Sequence, residues 1–156
     1  INGWNAVINI DLNGTFYCSQ AVGKDWIENN QKGNILNIVA TMAWLGAAGN
    51  VHAASAKAGI LAMTRSLAVE WGSKYGIRVN AIAPGPIENT EGVARLLDSK
   101  NGYQASINQV PLKRFGRAEE IANLAYFLLS HEAEYINGEC ITMDGGKWLN
   151  NYGLNY

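Results

Sequence analysis

Three stretches of the chain repeat apolar residues at the spacing of an amphipathic helix, which predicts three long helices. Asn2 precedes the first stretch as a candidate N-cap, and Gly76 ends the second, as glycine commonly does after a helix. The third stretch carries two glutamates in its first turn, where the helix dipole favours negative charge. The predicted helices cover Trp4 to Glu28, His52 to Tyr75 and Ala118 to Ser130.

Three short apolar runs alternate with these helices and predict β-strands. Each run is too short for a helix and nearly uncharged, which is typical of strands buried on both faces. Pro84-Gly85-Pro86 ends the second run abruptly, and Asp144-Gly145-Gly146 follows the third. The predicted strands cover Gly33 to Val39, Ile77 to Ala83 and Glu139 to Met143.

Residues 88–110 show weaker periodicity, and only Glu91 to Leu97 predicts a short helix there. We interpret this segment as a mobile lid.

The alternation of strands and helices predicts right-handed crossovers and a parallel sheet, so the fold class is α/β. Three strands and three long helices make only part of a doubly wound sheet, in which the first strand would lie at an unpaired edge. No GxGxxG phosphate loop occurs, because Gly46 and Gly49 do not follow a strand and open a helix together. We therefore expect residues 1–156 to be the C-terminal part of a single dinucleotide-binding domain whose glycine-loop half is absent.

The composition narrows the class of partner. A net charge of −1 with 16% charged residues does not suggest a basic surface for nucleic acid or an anionic membrane. The longest apolar runs fall well short of the roughly 20 residues that a membrane span needs, and no signal peptide is visible. Cys18 and Cys140 lack metal-ligand spacing, so no metal site is predicted, and we expect buried free thiols in a cytoplasmic protein.

Lys57 is the first candidate for chemistry. It lies near the start of the second predicted helix, among alanine, glycine and isoleucine, where the helix dipole disfavours a cation. The local pattern alone favours a surface lysine whose aliphatic stem covers apolar surface. The order of the surrounding segments favours a functional role for Lys57 instead.

Five segments follow one another over nearly all of the chain: NIDLNGTFYCSQ, GNILNIVAT, HAASAKAGILAMTRSLAVEWGSKYGIRVNAIAPGPI, RFGRAEEIANLAYFLLS and YINGECITMDGG. Each segment alone is a weak signal, but together they resemble the second half of the short-chain dehydrogenase/reductase family. This resemblance implies a Rossmann-type fold, an NAD(P) cofactor and hydride transfer.

The sequence departs from that family at the catalytic positions. The family carries Tyr-x-x-x-Lys on one helix face, where the lysine lowers the pKa of the tyrosine and holds the nicotinamide ribose, and the tyrosine passes a proton to the substrate. Lys57 matches the lysine, whereas the tyrosine position is Ala53. The family's serine falls on Ala40, and the asparagine of its preceding helix falls on Asp11.

Two interpretations remain open at this point. In the first, the site has decayed and the chain is a cofactor-binding or scaffold protein. In the second, its reaction needs no tyrosine. An ordinary alcohol dehydrogenase of this family would lose roughly 10²–10⁴-fold in rate without its positioned acid. One branch of the family, the peroxisomal-type 2,4-dienoyl-CoA reductases and similar bacterial proteins, has small residues at the tyrosine position and keeps the lysine. Its peroxisomal form carries aspartate at the position of Asp11. The segments LAVEWG, APGPI and INGECITMDGG are also similar to that branch.

That resemblance implies NADPH-dependent reduction of a 2,4-dienoyl-CoA to an enoyl-CoA in the β-oxidation of unsaturated fatty acids. Hydride adds to the terminal carbon of the diene, and the charge delocalises to the thioester oxygen as a dienolate. Asp11 and Lys57 would hold the water that protonates carbon, and Asn13 is the alternative candidate for an oxygen-binding donor. The mitochondrial-type reductases supply a tyrosine at a position that corresponds to Met42, so this chain does not resemble them.

The remaining candidates are binding residues. An open α/β sheet binds its ligand at the carboxyl ends of its strands, where the family places the segment Pro84, Gly85, Pro86 and Ile87 against the nicotinamide. Thr90 is a candidate contact for the pyrophosphate. His52 is a candidate replacement acid beside Ala53, but a structural role is favoured because its side chain faces a different part of the helix from Lys57. Lys113 and Arg114 could meet the phosphates of coenzyme A, although an ion-paired or solvated role for Arg114 and Arg117 is favoured.

The expected partners are an acyl-CoA substrate and further copies of the chain, with no nucleic acid and no membrane. The two long helices before residue 76 are broad and apolar, which predicts a homo-oligomer that forms through them. The alternative functions are reduction of another activated alkene or of a carbonyl, and silent cofactor binding.

Overall fold

A computed structural model describes residues 1–94 and 102–150. Its three strands form one parallel sheet in the order β1-β2-β3. In the register of the sheet, Ile35 lies beside Val79 and Ile82 lies beside Ile141. The strands are β1 (Asn34–Ile38), β2 (Arg78–Pro84) and β3 (Cys140–Met143), which confirms the three predicted strands and the α/β class.

The three predicted long helices are also present. The first is continuous but contains a π-helical segment, so it divides into α1 (Asn2–Val7), the segment Ile8–Asn13 and α2 (Gly14–Glu28). The others are α3 (Val51–Tyr75) and α6 (Ala118–Leu129), and short 3-10 turns cover Thr41–Ala43, His131–Ala133 and Lys147–Leu149. Asn2 lies inside the first helix and Ile1 takes the capping position, so the predicted N-cap is wrong.

Helices cover both faces of β2. Val79, Ala81 and Ala83 belong to the apolar clusters that include Ile60, Leu61 and Ala68 of α3. Successive side chains of a strand point to opposite faces, and Arg78 accordingly donates to the Leu128 and Ser130 carbonyls at the end of α6. This two-sided burial explains the predominantly apolar run of β2, in which Arg78 and Asn80 donate to backbone carbonyls, and confirms that prediction.

The edge strand β1 differs from the prediction. Its terminal residues Asn34 and Ile38 are exposed, Ile38 by 47%, because among the described residues β1 pairs with β2 alone. Burial on both faces is therefore wrong for the ends of β1, whereas its predicted place at a sheet edge is confirmed.

Within the predicted lid, the structure contains two short helices, α4 (Glu91–Ala94) and α5 (Gly102–Asn108). The end of the helix predicted for Glu91 to Leu97 lies outside the described residues. In the part of the chain that the structure describes, no helix has the length and apolar character needed to cross a membrane.

The prediction of two buried thiols is wrong for Cys18, which is exposed on α2. Cys140 is half-buried in β3, and burial raises the pKa of its thiol to about 11, with the nearby Glu139 carboxylate acting in the same direction. A thiol that stays protonated at neutral pH is a poor nucleophile, so Cys140 is a packing residue.

Gly76 ends α3 in the left-handed region, with φ of 65°, and its backbone N–H donates to the Gly72 carbonyl. A Cβ at this position meets atoms of Lys32 only at ordinary contact distance, so backbone strain decides the effect of a substitution. We expect Gly76→Ala to lower the free energy of unfolding of the full-length protein by about 1 kcal/mol or more, measured by urea denaturation. Gly46→Ala is the matched control, since nothing lies within 4 Å of its added Cβ. Equal effects of the two substitutions would contradict this explanation.

Candidate active site

An ion pair joins the first long helix to the second, α3. The Lys57 ammonium donates to Asp11 Oδ1 over 2.9 Å and to the Ile38 carbonyl over 3.1 Å. The two side chains are only 21% and 27% exposed. Asp11 therefore supplies the negative charge that Lys57 needs near the positive end of α3, and the carbonyl places the ammonium at the carboxyl end of β1.

Two local features bring these residues together. Asp11 lies in the π-helical segment Ile8–Asn13, and such segments occur frequently at functional sites. Leu12 packs directly over Gly59 of α3, where an added Cβ would come within 2.9 Å of both Leu12 Cδ atoms. The glycine thus allows the close approach of two helices that the Asp11–Lys57 contact requires.

A cleft of about 560 Å³ opens at the carboxyl ends of the strands, within the usual range for a small-molecule site. Its walls come from the loop after β1, the segment after β2 and the turn after β3. The lining residues are Ala40, Thr41, Met42, Leu45, Pro84, Gly85, Pro86, Gln109, Asp144, Lys147, Trp148 and Asn150.

The predicted site residues line two openings rather than one. Asp11 and Lys57 face a groove of about 620 Å³ between α2 and the open edge of β1. Pro84, Gly85 and Pro86 line the cleft at the carboxyl ends, together with Ala40. Ile38, which accepts from Lys57, is two residues before Ala40, so the end of β1 lies between the two openings.

The segment after β2 is held rigidly. The Gly85 N–H donates to the Met143 carbonyl, and Ile87 forms a parallel bridge with Gly116. An added Cβ at Gly85 would lie 2.5 Å from Asp144 Cβ, so only glycine allows the two strand ends to approach this closely. The result is a fixed surface beside the cleft.

A nicotinamide cofactor fits these residues in one testable respect. An ammonium has three N–H donors, and within the described residues Lys57 uses two of them. The third is available to a ribose hydroxyl. The rigid segment from Pro84 to Ile87 offers a flat neighbour for a ring.

Other predicted residues make local contacts. The Asn13 side chain donates to Asn9 Oδ1 over 2.9 Å, so one of its two amide N–H groups is already used within its own helix. The Thr90 hydroxyl donates to the Ile87 carbonyl and accepts from the Val93 N–H. His52 Nδ1 accepts from the Ala53 N–H in the first turn of α3, so this ring nitrogen is used locally.

The two cations considered as contacts for coenzyme A, Lys113 and Arg114, already form hydrogen bonds within the chain. Arg114 donates to both carboxylate oxygens of Glu120, over 2.8 and 2.6 Å, which confirms its predicted ion-paired role. That bond, followed by the bond from the Arg117 backbone N–H, lowers the pKa of Glu120 to about 2. Lys113 donates to the Asn108 carbonyl.

Sequence reasoning missed six lining residues with side chains suited to binding: Thr41, Gln109, Asp144, Lys147, Trp148 and Asn150. Asp144 precedes two glycines after a strand, a signal that predicts a turn but not a role. No sequence pattern predicted a role for Trp148, because its position in the cleft depends on the conformation of that turn.

The parallel sheet, the helices on both its faces and a cleft at the carboxyl ends of the strands together define one part of a Rossmann-type α/β domain. A family model described as enoyl-(acyl carrier protein) reductase matches residues 1–147. The chain belongs to the short-chain dehydrogenase/reductase family, as the sequence resemblance implied.

Two curated relatives cover nearly all of the chain. One is a "probable 2,4-dienoyl-CoA reductase", (2E)-enoyl-CoA-producing, from Bacillus subtilis (strain 168), 64% identical over 97% of this chain and 59% of its own length. The other is the peroxisomal 2,4-dienoyl-CoA reductase, (3E)-enoyl-CoA-producing, of Danio rerio, 44% identical over 95% of this chain and 49% of its own. The chain thus spans half to three fifths of the length of these relatives.

Solved structures agree with this fold. A short chain dehydrogenase from Bacillus anthracis str. 'Ames Ancestor' matches with a TM-score of 0.90 and 63% identity, over 97% of this chain and 58% of its own. A gluconate 5-dehydrogenase from Burkholderia cenocepacia J2315, in complex with NADP and tartrate, matches with a TM-score of 0.86 and 29% identity, over 94% and 56%. These matches confirm the Rossmann-type fold class.

Proposed function

We propose that the full-length protein is an oxidoreductase that reduces a 2,4-dienoyl-CoA to an enoyl-CoA with a nicotinamide cofactor, in unsaturated fatty acid β-oxidation. The observation that carries this proposal is the Asp11–Lys57 pair, which occurs beside alanines at both positions where the family has hydroxyl groups. A carbonyl reductase of this family needs a proton donor for oxygen, which Ala53 and Ala40 do not provide. The names of the two curated relatives support the same substrate class.

The proposed chemistry divides between the cofactor and the chain. The cofactor, when bound, supplies hydride to the terminal carbon of the diene. Asp11, whose Oδ1 is paired with Lys57, holds a water beside the pair, and this water gives its proton to the α or γ carbon of the dienolate. The hydroxide that remains is neutralised from solvent, so one hydride and one proton are added in total. Asn13 is the alternative donor to the thioester oxygen, through its free amide N–H.

Cofactor binding is assigned to Lys57, to the segment Pro84, Gly85, Pro86 and Ile87, and to Thr90. Lys57 binds the ribose through its remaining N–H, and the rigid segment lies against the nicotinamide. The Thr90 hydroxyl already donates to Ile87, so it meets a pyrophosphate only after that bond is exchanged. We propose NADPH as the cofactor, with NADH as the alternative that a parallel assay tests.

We propose that the protein works in the cytoplasm as a homo-oligomer. Large apolar side chains on the outer surfaces of α2 and α3 are exposed, among them Tyr17 by 60% and Val69 by 77%. These side chains are available to an interface between subunits that forms through the two helices. Sedimentation of the full-length protein distinguishes an oligomer from a monomer.

Two other functions are the alternatives. Reduction of a carbonyl is favoured by the similarity to gluconate 5-dehydrogenase. Silent cofactor binding is favoured by the loss of the family's hydroxyl groups at Ala53 and Ala40.

An assay of cofactor oxidation by the full-length protein separates these functions. We expect NADPH absorbance to fall when 2,4-hexadienoyl-CoA is added, and to stay constant with a keto-gluconate. Turnover of the keto sugar without turnover of the diene would contradict the proposal and favour the carbonyl reductase. Cofactor binding without turnover of either compound would favour the silent homologue.

A further inference from the structure

One side chain that the proposed chemistry does not use occupies the wall of the cleft. Trp148 lies in the 3-10 turn after β3 and lines the cleft opposite residues of the loop after β1. Its indole ring meets that of Trp44 edge to face, with ring centroids 5.9 Å apart and planes inclined by 83°. Edge-to-face contact is a favoured aromatic geometry, so the two rings fix each other.

Asp144 holds the backbone that carries Trp148. Its Oδ2 accepts from the Trp148 N–H over 2.7 Å, and its Oδ1 accepts from the Gly146 N–H over 2.9 Å. The carboxylate is buried, with 8% exposure, and both of its described bonds go to this turn. Gly145 and Gly146 have φ of 66° and 84°, which a chain with side chains at both positions rarely adopts. The turn is therefore specified by three consecutive residues.

Trp44 lies between Trp148 and the apolar core. It packs against the apolar cluster that contains Val39, Ile60 and Leu61. Its buried indole N–H has no hydrogen-bond partner among the residues that the structure describes, so packing alone holds the ring. Removal of Trp148 takes away part of that packing and enlarges the cleft on this side.

The part of the wall formed by Trp148 and the apolar residues of the loop after β1 is apolar and partly aromatic, whereas polar residues line the rest of the cleft: Thr41, Gln109, Asp144, Lys147 and Asn150. Met42 and Leu45 line the same cleft as Trp148, and no acidic or basic group lies in the loop 40–45. A flat, conjugated chain fits such a wall, because dispersion contacts with a ring face are largest for planar groups.

We propose that Trp148 is a specificity-determining residue that limits the bulk of the acyl chain, and that Asp144 is the residue that positions it. This inference rests on the proposed function, since it assumes an acyl substrate in the cleft. Neither residue is assigned a part in hydride or proton transfer. Their effect is therefore expected in the selectivity between substrates.

The test compares kcat/KM for 2,4-hexadienoyl-CoA with that for 2,4-decadienoyl-CoA in the full-length protein. We expect Trp148→Ala to change the long-to-short ratio about tenfold or more in favour of the long chain, mainly through KM. Trp148→Phe keeps a ring and should stay within about threefold of wild type. Trp148→Leu fills the space without a ring, and serves if the alanine variant does not fold.

Asp144→Asn keeps one hydrogen-bond acceptor for the turn and loses the other. We therefore expect its long-to-short ratio of kcat/KM to shift in favour of the long chain by a smaller factor than in Trp148→Ala. The variant with both Asp144→Asn and Trp148→Ala should change the long-to-short ratio of kcat/KM no more than Trp148→Ala alone, because both changes act through one side chain. An unchanged ratio in folded Trp148→Ala, with wild type active on both dienes, would overturn this inference alone. If wild type reduces neither diene, the proposed function fails and this inference fails with it.

Discussion

Replacing Lys57 by methionine is expected to lower kcat/KM for a 2,4-dienoyl-CoA by roughly 10²–10⁴-fold. The change removes the donor to Asp11 Oδ1 and to the Ile38 carbonyl, and leaves a half-buried carboxylate without its cation. It also removes the N–H proposed to bind the ribose. We therefore expect kcat to fall and KM for the cofactor to rise, measured by initial rates at varied concentrations of both reactants.

Lys74→Met is the matched control for this prediction. Lys74 lies in the last turn of the same helix and is exposed, so its loss should leave both constants within a few-fold. If Lys57→Met changes only KM for the cofactor and leaves kcat intact, Lys57 binds but takes no part in the proton relay. That result would contradict half of its proposed role.

Replacing Asp11 by asparagine is expected to lower kcat by roughly 10²–10⁴-fold with little change in KM for the cofactor. Asparagine keeps the shape and one acceptor for the Lys57 ammonium, but it lacks the charge that holds and polarises a water. Asp11 faces the groove beside Lys57, and no direct role in cofactor binding is proposed for it. The separation of kcat from KM distinguishes this residue from Lys57.

Asp25→Asn is the control, because Asp25 is an exposed acid on the same long helix. Asp11 and Lys57 act as one unit in this account, so the double variant should be little worse than either single variant. Turnover of Asp11→Asn within a few-fold of wild type would remove Asp11 from the relay.

The elements of this fold could be predicted from the sequence wherever a regular period was uninterrupted. The apolar positions of α3 and the predominantly apolar β2 gave correct types and nearly correct bounds, because burial decides both. The π-helical segment Ile8–Asn13 was not predictable in this way. A period of 3.6 residues continues through it, so the pattern does not distinguish this segment from the α-helix on either side.

Some residues of the candidate site could be predicted from the sequence and others could not. Family resemblance identified Lys57 and Asp11, and the structure brings them within hydrogen-bond distance. Asp144 and Trp148 could not be found from sequence, since their significance depends on a turn that folds back beside Gly85 and Trp44. The exposure of Cys18 also escaped prediction, because composition does not tell which face of a helix is covered.

Reduction of 2,4-hexadienoyl-CoA by the full-length protein in deuterium oxide tests the central claim most directly. The account predicts that each product molecule gains one non-exchangeable deuterium from solvent, at the α or γ carbon, as detected by mass spectrometry after rapid quenching and return to ordinary water. Protonation of the γ carbon leaves a 2-enoyl product, and protonation of the α carbon leaves a 3-enoyl product. A carbonyl reductase places the solvent proton on oxygen, where it exchanges away. A reduced product without solvent deuterium on carbon would contradict the account.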